Sequence, residues 1–216
     1  GGPGHVQSVA EVLRHLPADS SFSRRVERVL EKHRDEIEAA YASMVDRPLT
    51  PQRTPLAVLA IDLDSAAAQS APARRVRAHP SAAAFPGAVA DEAERVNREV
   101  DLTGGKPGWR TTGLYAAPGD LVRVRIDREL VGRGLVARIG PWLDPQNFDQ
   151  RVRLRNGSRT FELNDRLTEI ASAMGGAVYI DVPPDLAGET LEIAVMGAVE
   201  MPHFKLGVTT PEEWAR

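Results

Sequence analysis

Cysteine is absent from all 216 residues. Its absence excludes disulfides, thiolate zinc sites and cysteine nucleophiles, and it leaves the compartment open. An excess of one charge is lacking too. The chain has 27 basic and 30 acidic residues, net −3, and so carries no electrostatic footprint for nucleic acid or an anionic membrane. No apolar run approaches the roughly 18–20 residues of a membrane helix, so no transmembrane segment is expected. His5, His15, His33, His79 and His203 are the histidines, and no two lie three to five residues apart. There is no H-E-x-x-H and no His–carboxylate cluster at ligand spacing. G-x-S-x-G and S-x-x-K are also missing, and Gly132-Arg133-Gly134 runs into Leu135 rather than into a helix opening. Asp62 with Asp64, and Asp181 near Asp185, read as ordinary surface and turn carboxylates. Catalytic residues: none; metal ligands: none.

What is present is an ordinary globular composition, 42% apolar and 26% charged. Residues 6–47 read as helical, with a short helix at 6–16 divided from a longer one by Pro17. Val26, Val29, Leu30, His33, Ile37, Tyr41 and Met44 recur at helical steps along one face of the second. Ser21 or Ser23 is its cap, and Pro48 and Pro51 end it. "LAVLAIDLD" at 56–64 is too short to choose between helix and strand. The alanine-, proline- and arginine-rich stretch that follows reads as an irregular connection.

From about residue 82 short alternating runs lie between turn residues. They are Arg95–Leu102, Leu121–Asp127, Leu135–Ile139, Arg159–Leu163, Leu167–Ala171, Ala177–Val182, Leu191–Ala198 and Glu200–Leu206. Asn156-Gly157 carries the strongest short hairpin signal. Pro118-Gly119 suits a β-turn feeding the strand at 121–126. The expected fold is mainly β: an antiparallel β-sandwich or jelly-roll-like domain preceded by an α-helical N-terminal segment. The division is 1–50 helical, 51–80 connection, 81–208 sandwich, and 209–216 the start of a further subdomain. The last assignment rests on Thr210-Pro211-Glu212-Glu213, which reads as a helix start with a capping box. On this reading the chain is a fragment of a longer protein.

Aromatics in a β-domain suit sugar stacking, and Trp109, Trp142, Tyr115, Tyr179 and Phe148 are the candidates. The alternative, favoured for each of them, is that they plug the core or its corners; Trp109 and Tyr115 read as corner and core packing for the strand at 121–126.

The order of segments carries a resemblance. "AAAFPGAV" (82–89), "GWRTTGLYAAPGDLVRVRI" (108–126), "GLVARIGPWLD" (134–144), "RTFEL" (159–163), "MGGAVYIDVP" (174–183), "LEIAVMGAVEMPHFKLG" (191–207) and "TTPEEW" (209–214) follow one another. Over about residues 80–216 this resembles the N-terminal β-sandwich region of the enhancin-like zinc metallopeptidases, peptidase family M-sixty. The resemblance implies a secreted or cell-surface parent that cleaves mucin-type or other O-glycosylated proteins. It places the H-E-x-G-H zinc motif C-terminal to this region, so no cofactor is expected in this chain and zinc is expected in the peptidase part. The glycoprotein or mucin partner is implied for the full-length protein. The rival reading is a free-standing carbohydrate- or protein-binding module. Gly175-Gly176 before Tyr179 is a further candidate, since paired glycines let backbone approach substrate or a peptidase subdomain closely. A β-bulge or tight turn serves equally. The binding candidates are thus Gly175, Gly176, Tyr179, Trp109 and Trp142.

Overall fold

Strict alternation at Val122-Arg123-Val124-Arg125-Ile126 forces one face of that strand inward, and all three apolar residues are buried while both arginines are exposed. The computed structural model describes residues 9, 12, 15, 20–83, 85–140, 150–202 and 207–214. Its strands are β1 (Val96–Asp101), β2 (Gly108–Ala116), β3 (Val122–Ile126), β4 (Val136–Ile139), β5 (Arg159–Glu162), β6 (Leu167–Ile170), β7 (Gly176–Val182) and β8 (Glu192–Glu200). All pairings are antiparallel, in the order β5-β4-β7-β2-β8-β3-β6, with β1 on β8. β8 joins two layers. Its first part pairs with β1 and β3, and Val199 and Glu200 pass to Tyr115 and Leu114 of β2. Gly197, at φ 80, lies just before that change of partner. Val124, Val195, Ile139, Val178 and Ile180 lie in the apolar core of this sandwich, each 0% exposed.

The helices are α1 (Ser21–Lys32), α2 (Arg34–Ser43), α3 (Pro55–Ser70) and a short α4 (Pro211–Trp214). The N-cap of α1 is Ser20, one residue before the first of the two serines expected; its Oγ accepts from the Ser23 N–H at 3.0 Å. The expected apolar stripe is interrupted at His33, whose ψ of 20° divides α1 from α2. Beyond the break Ile37, Tyr41 and Met44 are buried, whereas Val29 is 46% exposed.

The 51–80 stretch is corrected most. It contains α3, a helix of 16 residues with Pro55 in its first turn, and it ends at Ala71, in extended backbone before Pro72. Ser65 does not break it, because its hydroxyl bonds back to the carbonyl of Ile61 within the helix. Ile37, Tyr41, Met44, Val58 and Ile61 form a second core with Leu154, Ala171, Ala173 and Met174 of the β-rich part.

Two further expectations are corrected. "GWRTTGLYA" is a full strand, β2, not a corner; its register shifts between Thr111 and Tyr115, around Gly113 at φ 72. Asn156 does take a positive φ of 53, yet no hairpin forms there. The residues before it belong to the helical layer: Leu154 is buried in the second core, and the Arg155 N–H donates to Ser65 Oγ. β8 ends at Glu200, and residues 203–206 of the expected last run lie outside those described.

Candidate functional site

The register of β2 on β7 sets Trp109 opposite Asp181 and Thr111 opposite Tyr179, so the two aromatic side chains are diagonal neighbours on one face. Their ring centroids are 6.1 Å apart at 46°. Arg138 of β4, opposite Tyr179, lays its guanidinium 4.0 Å from the Trp109 ring centroid. Arg138 Nη1 donates to Ser158 Oγ at 2.9 Å, while its Nε is buried without a hydrogen-bond partner. Trp109 remains 44% exposed. The result is an aromatic face backed by a cation, with Trp109 open to solvent and its ring plane fixed from one side. Trp109 therefore packs outward rather than into a corner. Arg138 was missed by sequence reasoning, and the alternation of β4 was the signal that placed it outward.

Gly175 and Gly176 stand elsewhere, at the start of β7. A Cβ on Gly175 would lie 2.6 Å from the Ala116 carbonyl oxygen, and one on Gly176 would lie 2.7 Å from Gly140 Cα. The surface that these glycines approach so closely is the chain's own. Tyr115 is half-buried and its hydroxyl donates to the Gly87 carbonyl at 3.3 Å. Trp142, Phe148, His5 and His203 lie outside the described residues.

A second constellation, unforeseen in the sequence, sits in the helical layer. The Tyr41 hydroxyl donates to Asp64 Oδ2 at 2.9 Å, and His79 Nε2 stands 3.4 Å from the same oxygen. The Tyr41 and His79 rings are 4.9 Å apart. Burial, and after it the charge of Asp64, pushes the Tyr41 phenol far up, so it stays a donor throughout the working pH range. His79 Nδ1 accepts from the Ser81 N–H at 3.2 Å and meets its Oγ at 2.7 Å, so Nε2 carries the ring proton. The order Asp64–His79–Ser81 has the connectivity of an acyl-transfer relay. Ser81, however, is 3% exposed and its hydroxyl lies against Met174 Sδ, so no substrate carbonyl can reach it. Among the described residues no group of three or more His, Asp or Glu is placed to hold a metal ion.

Residues 91–196 match the family described as the N-terminal domain of M60-like peptidases. TRPM8 channel-associated factor 3 of Rattus norvegicus is 33% identical over 115 residues, which are 52% of this chain and 12% of that protein. Its Mus musculus counterpart is 35% identical over 109 residues, 49% of this chain and again 12% of the other. The matched region thus spans about an eighth of the length of these curated relatives. Among solved structures, the IMPa metallopeptidase in complex with T-antigen shares the fold at a TM-score of 0.52 and 14% identity, over 82% of this chain and 21% of that one. Over residues 91–196 the β-sandwich of this chain is thus similar to the N-terminal domains of the M60-like, enhancin-like metallopeptidases.

Proposed function

We propose that this chain is the non-catalytic N-terminal region of an enhancin-like zinc metallopeptidase that cleaves mucin-type or other O-glycosylated proteins at the cell surface or outside the cell. The observation that carries the reading is the family match over residues 91–196. In this reading zinc is a cofactor of the peptidase part, and the sandwich supports it.

A second reading, a carbohydrate- or protein-binding module, is favoured by one feature. Trp109, with Tyr179 beside it and Arg138 on its ring, offers the kind of flat, exposed aromatic surface on which a sugar ring stacks. One experiment separates the two. The chain is dialysed against zinc, analysed for metal, and mixed with a mucin-type O-glycopeptide while cleavage and side-chain shifts of Trp109, Trp142 and Tyr179 are followed. The first reading expects no stoichiometric zinc, no cleavage, and shifts that are weak or absent. Saturable shifts at Trp109 that vanish in Trp109→Ala establish the binding module instead. One zinc held per chain and lost in His203→Ala overturns the assignment of catalysis to a separate part.

A further inference from the structure

A cleft of about 570 Å³ opens between α1–α2 and α3, closed on its third side by residues 71–80. That volume is in the range of small-molecule sites. Leu30, Ile37, Ala60, Leu63 and Val76 line it with apolar surface, and Tyr41, Asp64 and His79 supply its polar groups.

The polar groups are incompletely matched by the chain. An ionised carboxylate offers roughly four acceptor positions. Asp64, whose side chain is 47% exposed, receives one hydrogen bond, from Tyr41, and that on Oδ2. Oδ1 receives none from any described residue. His79 is 8% exposed, and its Nε2 makes no hydrogen bond, standing off at 3.4 Å from Oδ2. Asp64 is therefore held through Oδ2, which the His79 Nε2–H also faces, and Oδ1 is the acceptor left open beside the apolar walls.

The charges around the cleft narrow the ligand. Glu27, Glu31 and Glu38 line it from α1 and α2, and Arg34, Arg75 and Arg77 line it as well. Arg34 is engaged by Glu31, and Arg77 Nη1 donates to the carbonyls of Arg74 and Val76. With Asp64 the lining carries four carboxylates against three guanidiniums, an acidic balance that disfavours an anion. A neutral alcohol brings one donor and no charge. An ammonium brings three donors in charge-assisted bonds.

We propose that this cleft binds a primary ammonium group carried on an apolar body, with Asp64 as its counter-ion. The ammonium meets Oδ1, and the apolar body lies along Leu30, Ile37 and Leu63. A free alkylamine and a lysine side chain share this chemistry. The site is separate from the aromatic face of β2, β7 and β4, and its existence does not depend on the peptidase reading.

The test is a titration of the whole chain with hexylammonium, hexanol and hexanoate, read by the backbone amide shifts of Leu63, Ala67 and Val76. Saturable shifts are expected with hexylammonium, with affinity falling at least tenfold in Asp64→Asn. Ala67 lines the cleft from an exposed position on α3, so Ala67→Leu narrows the cleft and leaves its polar groups intact. It should also weaken binding at least tenfold, and it decides the matter if Asp64→Asn does not fold. Unchanged amide shifts of Ile193 and Val195 in β8 verify the fold of each variant. Nα-acetyl-lysine methylamide, titrated in parallel, distinguishes the sources: equal binding assigns the site to lysine side chains, and its absence to free amines. Hexanol binding as tightly as hexylammonium, affinity unchanged in both variants, or no shift at the three amides overturns the proposal.

Discussion

Asp62 and Arg151 are 89 residues apart and meet in a two-pronged bond, Nε to Oδ1 at 2.9 Å and Nη2 to Oδ2 at 3.2 Å. Their side chains are 5% and 1% exposed. Breaking such a buried pair by removing one partner costs about 3–5 kcal/mol. Asp62→Ala is therefore expected to lower the unfolding free energy by that much, seen as a lower denaturant midpoint with the slope unchanged. A loss under about 1 kcal/mol would show the pair to be solvated. The sequence offered Asp62 and Asp64 only as surface or turn carboxylates, because their character is set by partners far along the chain. Asp62 gains Arg151, and Asp64 gains Tyr41 and His79. Residue type alone did pick out Trp109 and Tyr179, which the β2–β7 register brings together. It could not pick out Arg138, whose place on Trp109 depends on a third strand.

At the level of elements, legibility followed regularity. β3 was readable because its alternation is unbroken and one face is wet. β2 was not, because its register shift near Gly113 spoils the alternation midway. The run at 56–64 left helix and strand open because α3 buries almost every residue of its first half, Asp62 included, and so shows no polar face there. The turn at Gly175-Gly176 was readable as a close approach, and the approach proves to be strand on turn within the domain. Gly176 carries φ 143, and a Cβ there would meet the Gly140 backbone at 2.7 Å. Gly176→Ala is expected to destabilise the fold by at least about 1–3 kcal/mol, the usual cost of such strained backbone. The damage should appear first at the Gly140 amide, which donates to the Ala177 carbonyl at 2.9 Å. Faster hydrogen exchange at Gly140 than at Ile126, whose amide bonds to Arg166 on the other layer, is the specific readout. Equal acceleration at both would mean that the substitution acts globally rather than at this turn.

For the whole molecule, the family match begins at residue 91 and leaves the helical layer outside it. The packing does not respect that border. The second core takes Ala171, Ala173 and Met174 from the β-rich part to cover Ile37, Val58 and Ile61. Backbone bonds cross as well, from the His79 N–H to the Ala173 carbonyl and from the Leu49 N–H to the Arg151 carbonyl. A Cβ on Gly119 would sit 2.4 Å from the Ala78 nitrogen, so the helical side presses directly on the β2–β3 turn. Arg159 spans both parts, donating to the carbonyls of Ala71 and Ala171 from a position where burial lowers its pKa. Shared core residues and shared bonds make two halves unfold as one. Denaturant titration followed at the Val58 and Val195 amides is therefore expected to give coincident midpoints in the native chain. Arg159→Met removes donors from both carbonyls without creating a large void, so it should lower the Val58 midpoint more than the Val195 midpoint. An earlier Val58 transition in the native chain would show that the sandwich stands alone, and that the helices carrying the Tyr41–Asp64–His79 cleft are an appendage held by weaker contacts.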